Sequence, residues 1–95
     1  MSPEPFRITR LSTRARKFLE KRDRKTQKEI ADAFIFLTTV SPFHHPNPKT
    51  IRRLRGTLEG LIRYRIRDMR IVYRVDEIAR TIEIVNIDDR GDVYK

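Results

Sequence analysis

A period of two runs through the centre of the chain, from Leu61 to Val75: Leu-Ile-Arg-Tyr-Arg-Ile-Arg-Asp-Met-Arg-Ile-Val-Tyr-Arg-Val. Side chains alternate across a strand, so this pattern predicts two half-buried strands that meet near Arg67 and Asp68. Ile62, Tyr64 and Ile66 share one face of the first strand, and Arg63, Arg65 and Arg67 the other. The second strand repeats the division, with Met69, Ile71, Tyr73 and Val75 against Arg70, Val72 and Arg74. One face is built to pack and the other is a field of guanidiniums. Like charges opposite one another weaken a ladder, so such a face expects an anion.

Upstream, Phe6, Ile8 and Leu11 among Arg7, Thr9 and Arg10 predict a short first strand. Ser12 is placed to cap a helix beginning near Thr13, whose apolar stripe is Ala15, Phe18 and Leu19, with Arg14, Arg16, Lys17, Lys21 and Arg22 mostly outside it. Asp23 caps a second and more apolar helix, with Ile30, Ala33, Phe34 and Leu37 on one face, running to about Val40. Ser41-Pro42 ends it, because proline pushes the preceding residue out of helical dihedrals. Three prolines between Ser41 and Thr50 predict a stiff loop. Ile51 to Arg55 leads through Gly56 and Gly60 into the hairpin, and Glu77-Ile78-Ala79 makes the next turn. Thr81 to Ile87 is β-rich, yet Ile82 and Ile84 fall on one phase and Val85 and Ile87 on the other, as in a strand buried on both faces or one with a bulge. The order predicts one α+β domain over residues 1–95: a small antiparallel sheet with two N-terminal helices packed on one face, β-α-α-β-β-β.

Ninety-five residues suffice for a single core, and the absence of cysteine excludes a disulfide framework and a thiol nucleophile. Two histidines do not suggest a metal site, and no metal or small-molecule cofactor is expected. No apolar run reaches membrane-spanning length, and the start, Met-Ser-Pro-Glu-Pro, lacks the apolar centre of a signal peptide, so the expectation is a cytoplasmic chain with no membrane partner. The 22 Lys and Arg outnumber 13 acids, a formal charge of +9. Residues 51–75 hold eight arginines and a net of +6, residues 11–22 a net of +4, and residues 76–95 a net of −3. A positive field concentrated on one hairpin and one helix calls for a polyanion, nucleic acid or an acidic protein segment. His44 and His45, the only groups that titrate near pH 7 unaided, sit in the proline-rich loop, where exposure explains them. Tyr64 and Tyr73 fall on the apolar phase and are expected in the core, and Arg74 is expected to pair with an acid such as Glu83.

Four pieces in order resemble the successive signatures of the RelE/ParE toxin superfamily of prokaryotic toxin-antitoxin modules: Leu54-Arg55-Gly56, Leu61 to Ile66, Met69 to Val75, and Asp89-Arg90-Gly91-Asp92-Val93-Tyr94. The resemblance spans nearly the whole chain. It implies a RelE-like fold and a small toxin neutralised by a cognate acidic antitoxin. In the RelE branch it implies a metal-independent endoribonuclease that cuts mRNA on the ribosome; in the ParE branch, a non-enzymatic toxin that binds DNA gyrase. A relative that has lost activity and only binds antitoxin is a third reading. Carried over by position, the basic catalytic pair is Arg63 and Arg65, the phosphate-binding arginine Arg70, the later arginine Arg90 and the terminal tyrosine Tyr94. Arg52, Arg53, Arg55 and Arg67 around the hairpin, with Lys17 and Lys21 on the first helix, are candidate nucleic-acid contacts. Guanidinium forks take phosphate oxygens two at a time and stay charged, which suits transition-state stabilisation. Arginine is a poor proton acceptor near neutrality. The pattern departs from the superfamily's at two places: Arg67 stands where a turn glycine is usual, and Asp89 where a histidine is common, which makes Asp89, or its neighbour Asp88, the candidate general base.

Overall fold

Ser12 ends the first strand and starts the first helix at once. The computed structural model describes residues 5–89. Strand β1 (Arg7–Leu11) runs into α1 (Thr13–Glu20), and the Ser12 hydroxyl oxygen accepts from the Ala15 amide at 3.0 Å. That bond satisfies one of the donors that a helix start leaves bare. Asp23 does the same for α2 (Arg24–Thr39), accepting from the Thr26 amide at 2.9 Å. Hydrogen bonding from Thr26, its side chain first and then its amide, holds the Asp23 carboxyl below its ordinary pKa. The two helices bury Ala15, Ile30, Ala33 and Leu37 against the sheet, with Phe18, Leu19 and Phe34 half-buried beside them.

Beyond the proline loop come β2 (Ile51–Arg53), a short 3-10 turn (Gly56–Leu58), β3 (Ile62–Ile66), β4 (Met69–Asp76) and β5 (Thr81–Asp89). The loop is tied to the core by Tyr73, whose buried hydroxyl donates to the Pro42 carbonyl at 2.6 Å. The five strands lie in the order β1-β5-β4-β3-β2.

The predicted α+β layering holds, but the sheet is mixed rather than antiparallel and carries one more strand than expected. β1 pairs with β5 in parallel, whereas the other three pairs are antiparallel. The two helices carry the chain across one face, so the last strand comes to lie beside the first. A pairing between strands about 70 residues apart leaves no trace in local alternation. The added strand is β2, which the sequence shows only as a lead into the hairpin; three residues are too few to show a period, and pairing of Ile51 with Tyr64 is what makes them a strand.

The two phases of the last strand resolve into a bulge. Val72 pairs with Asn86 and Tyr73 with Ile84, which leaves Val85 as an extra residue on β5. One added residue turns the following side chains over, so Ile82, Ile84 and Ile87 all reach the same core and are at most 2% exposed. A similar irregularity between Ile8 and Arg10 allows Ile8 and Leu11, three apart, both to pack on that core. Met69, Ile71 and Tyr73 are buried on β4, as the alternation predicts.

Candidate nucleic-acid interface

The helices cover one face of the sheet, and strand register sorts the arginines of the other face into two rows. The first row crosses four strands: Arg52 on β2, Arg63 on β3, Val72 on β4 and Asn86 on β5. The second reads Arg65, Arg70 and Asp88 on β3, β4 and β5. All alternate with core residues and therefore point away from the helices. Val72, between Arg63 and Asn86 in the first row, is only 3% exposed.

Arg63 donates through Nη2 to the Lys49 carbonyl at 3.2 Å, which ties it to the end of the proline loop. Its burial and the nearby charges of Arg52, Arg65 and Arg70 hold its pKa below the ordinary guanidinium value. Arg65 donates through Nε to the Arg67 carbonyl at 3.1 Å. Arg67 occupies the hairpin turn with φ 51°, a left-handed conformation that glycine adopts more readily, and its Nη2 meets Glu29 of α2 at 2.6 Å. Arg70 is sheltered too: Nε and Nη2 both donate to Asp88 Oδ1, at 3.2 and 3.0 Å, with the two side chains 15% and 17% exposed. Arg63, Arg65, Arg67 and Arg70 line one concavity of about 600 Å³ with Arg52, Arg53 and Arg55, and Asp68 adds a carboxylate to its lining.

Not every sequence candidate joins these two rows. Lys17 and Lys21 belong to the α1 segment on the helix-covered side, so they do not join the arginine rows. Arg53 pairs in register with Ile62 and lies over the Phe43 ring at 5.3 Å, at the sheet edge. Asp89 follows the phase of Ile87 to the helix side and meets Arg22 at 3.4 Å, so of these two neighbours it is Asp88 that joins the arginine rows. Arg74 pairs with Glu83 at 3.1 Å. Tyr73 is fully buried, while Tyr64 is half-buried and stands edge-on to His45 at 5.7 Å. His44 is exposed, whereas His45 is half-buried, with its ring 4.7 Å from Phe36 and its Nδ1 accepting from the Asn47 amide at 3.0 Å. Arg90 and Tyr94 lie outside the described residues. Sequence reasoning missed Asn86, whose Nδ2 donates to Asp88 Oδ2 at 3.1 Å; the signal was its i, i+2 spacing to Asp88 beyond a suspected bulge.

A two-helix, mixed-sheet domain with an arginine-lined open face defines a small basic module with one cationic surface. Comparison with known proteins places it further. The family model for the ParE toxin of type II toxin-antitoxin systems (parDE) matches residues 9–94. The fold is similar to the toxin-antitoxin complex RelBE2 from Mycobacterium tuberculosis, at 27% identity over 96% of this chain and 98% of that one, with a TM-score of 0.74. It is also similar to the archaeal RelE-RelB complex from Pyrococcus horikoshii, at 24% identity over 93% and 98% of the two chains, TM-score 0.74. The YoeB/ParE toxin from Agrobacterium tumefaciens shares the fold at 18% identity over 90% and 99%, TM-score 0.71. No curated protein sequence matches the chain. The chain belongs to the ParE toxin family of type II toxin-antitoxin systems, within the RelE/ParE superfamily.

Proposed function

We propose that this toxin is a metal-independent endoribonuclease that cuts mRNA on the ribosome and is held inactive by an acidic antitoxin. The observation that carries this reading is the pair of arginine rows, with Arg52 opposite Arg63 and Arg65 opposite Arg70. Like charges in register cost stability in the free protein, and a phosphodiester offsets that cost by accepting their forks. The 2′-oxygen attacks the adjacent phosphorus as the bond from phosphorus to the 5′-oxygen breaks. The products are a 2′,3′-cyclic phosphate and a 5′-hydroxyl. Arg63, Arg65 and Arg70 neutralise the pentavalent phosphate, and Arg90 and Tyr94, assigned by the sequence resemblance, complete the site. Both Asp88 oxygens are already engaged, and Asp89 faces the helix side, so neither is placed to take the 2′-hydroxyl proton. That proton passes to water, water returns one to the leaving 5′-oxygen, and charge stabilisation carries the rate. An antitoxin segment rich in carboxylates covers the same rows and competes with RNA, as the similarity to toxin-antitoxin complexes suggests.

The second reading is gyrase inhibition without nuclease activity, favoured by the match to the ParE toxin model. Induced wild type and an Arg65→Ala/Arg70→Ala variant separate the two. The nuclease reading expects growth arrest with cleaved mRNA in the wild type alone, unchanged in vitro by EDTA. Growth arrest with intact mRNA and blocked DNA supercoiling selects the gyrase reading.

A further inference from the structure

Counted from Ile82 and Ile84, every second residue of β5 belongs to the core, and that count would bury Asn86 and Asp88. The extra residue at Val85 reverses the phase, so Ile87 fills the core while Asn86 and Asp88 come out opposite Val72 and Arg70. Bulges beside functional sites often re-aim side chains in this way. The bulge is also secured: the Ser12 hydroxyl donates to the Val85 carbonyl at 2.7 Å, and the Ser12 amide donates to the Ile84 carbonyl at 3.0 Å. The same Ser12 oxygen caps α1.

We propose that Asp88, turned onto the arginine face by the Val85 bulge and steadied by Asn86, is the positioning residue that holds Arg70 in its phosphate-binding geometry. This rests on the reading of the arginine rows as a phosphodiester site. Arg70 stands directly opposite Arg65, and Arg63 is close enough to Arg70 for the two charges to repel. A long side chain between like charges has every reason to swing away. Asp88 Oδ1 takes two of its N–H groups, and Asn86 pins Oδ2, which fixes the carboxylate and through it the plane of the fork. Arg70 still lines the concavity while held this way. The arrangement has a cost, because a carboxylate next to an anion site opposes ground-state binding. Asp88 therefore trades some RNA affinity for an aligned Arg70, and the two effects separate experimentally.

The test uses the full chain as wild type, Asp88→Asn, Arg70→Ala and the double variant, with melting temperatures recorded for each. Binding is measured with a single-stranded 2′-O-methyl RNA that cannot be cleaved, and single-turnover cleavage with the unmodified RNA. The positioning role expects Asp88→Asn to bind the 2′-O-methyl RNA as tightly as wild type or tighter, while its cleavage rate falls roughly tenfold or more. In the Arg70→Ala background the same change should leave the rate unaltered, because residues acting as a unit are not additive. An equal loss in both backgrounds, or binding and rate falling together, overturns the proposal. If the wild type cuts no RNA, the nuclease reading fails and the positioning role is read by NMR. The Arg70 Nε–H signal should then respond to the 2′-O-methyl RNA in wild type and lose that response in Asp88→Ala. An identical response in the two proteins overturns it, and Asp88→Asn serves if the alanine variant does not fold.

Discussion

Arg63 sits where a cation is least at ease, half-buried and surrounded by Arg52, Arg65 and Arg70. Replacing it by glutamine relieves the repulsion, so Arg63→Gln should be at least as stable as wild type at low salt. Its affinity for single-stranded RNA should fall about tenfold, with the salt slope of log K reduced by about 0.7, as expected when one phosphate contact is lost. Salt-dependent binding titrations check both. Tyr73 is the opposite case, a buried polar group with its partner in place. Tyr73→Phe strands the Pro42 carbonyl and should destabilise the protein by about 1–3 kcal/mol in urea unfolding. Burial, reinforced by Tyr64, raises the Tyr73 pKa well above its ordinary 10.0. The unfolded phenol ionises first, so the stability it supplies is whole below about pH 10 and is lost as pH rises beyond that. The alkaline loss should be smaller in Tyr73→Phe. Asp23 gives the acid counterpart: its lowered pKa makes its capping contribution whole above 3.8 and lost as pH falls below that value.

The β3–β4 hairpin gives up backbone comfort for charge. Arg67 at φ 51° carries a strain of roughly 1 kcal/mol that glycine avoids, and its exposed pairing with Glu29 returns about the same or less. Arg67→Gly should therefore leave unfolding stability within about 1 kcal/mol of wild type while weakening RNA binding. Denaturant melts and binding on the same samples test that split. In β5 the bulge depends on one hydroxyl that serves two elements. Ser12→Ala removes the α1 cap and leaves the Val85 carbonyl without its donor, for an expected loss of about 1–3 kcal/mol. At this scale much was legible beforehand. Alternation gave the hairpin, Ser12 and Asp23 gave the helix starts, and the mixed phases of Thr81 to Ile87 left a bulge as one of two readings, the other being burial on both faces. What stayed hidden was the bulge's consequence, that Asp88 rather than Asp89 joins the arginines, because the position of one extra residue decides which side every later residue faces.

Across the whole molecule the like charges stabilise nothing until an anion arrives, so the protein should gain stability from simple polyanions. A ligand at ten times its Kd stabilises by about 1.4 kcal/mol, or roughly 6–11 °C in Tm for a domain of this size. Pyrophosphate at matched ionic strength should raise the Tm of wild type by several degrees and that of an Arg63→Gln/Arg65→Gln variant by much less, as differential scanning fluorimetry would show. The amino-acid sequence by itself determined the period of the hairpin strands, the helix caps, the concentration of positive charge and the apolar faces of the hairpin and the two helices, since all of these follow from neighbours in the chain. Only the tertiary structure decided that β1 lies parallel to β5, that Lys17 and Lys21 fall on the helix side, and that Arg65, Arg70 and Asp88 form one row. The physical reason is register: alternation says that a side chain faces one of two sides, but pairing between distant strands, shifted by a single residue at Val85, selects the side and the neighbours.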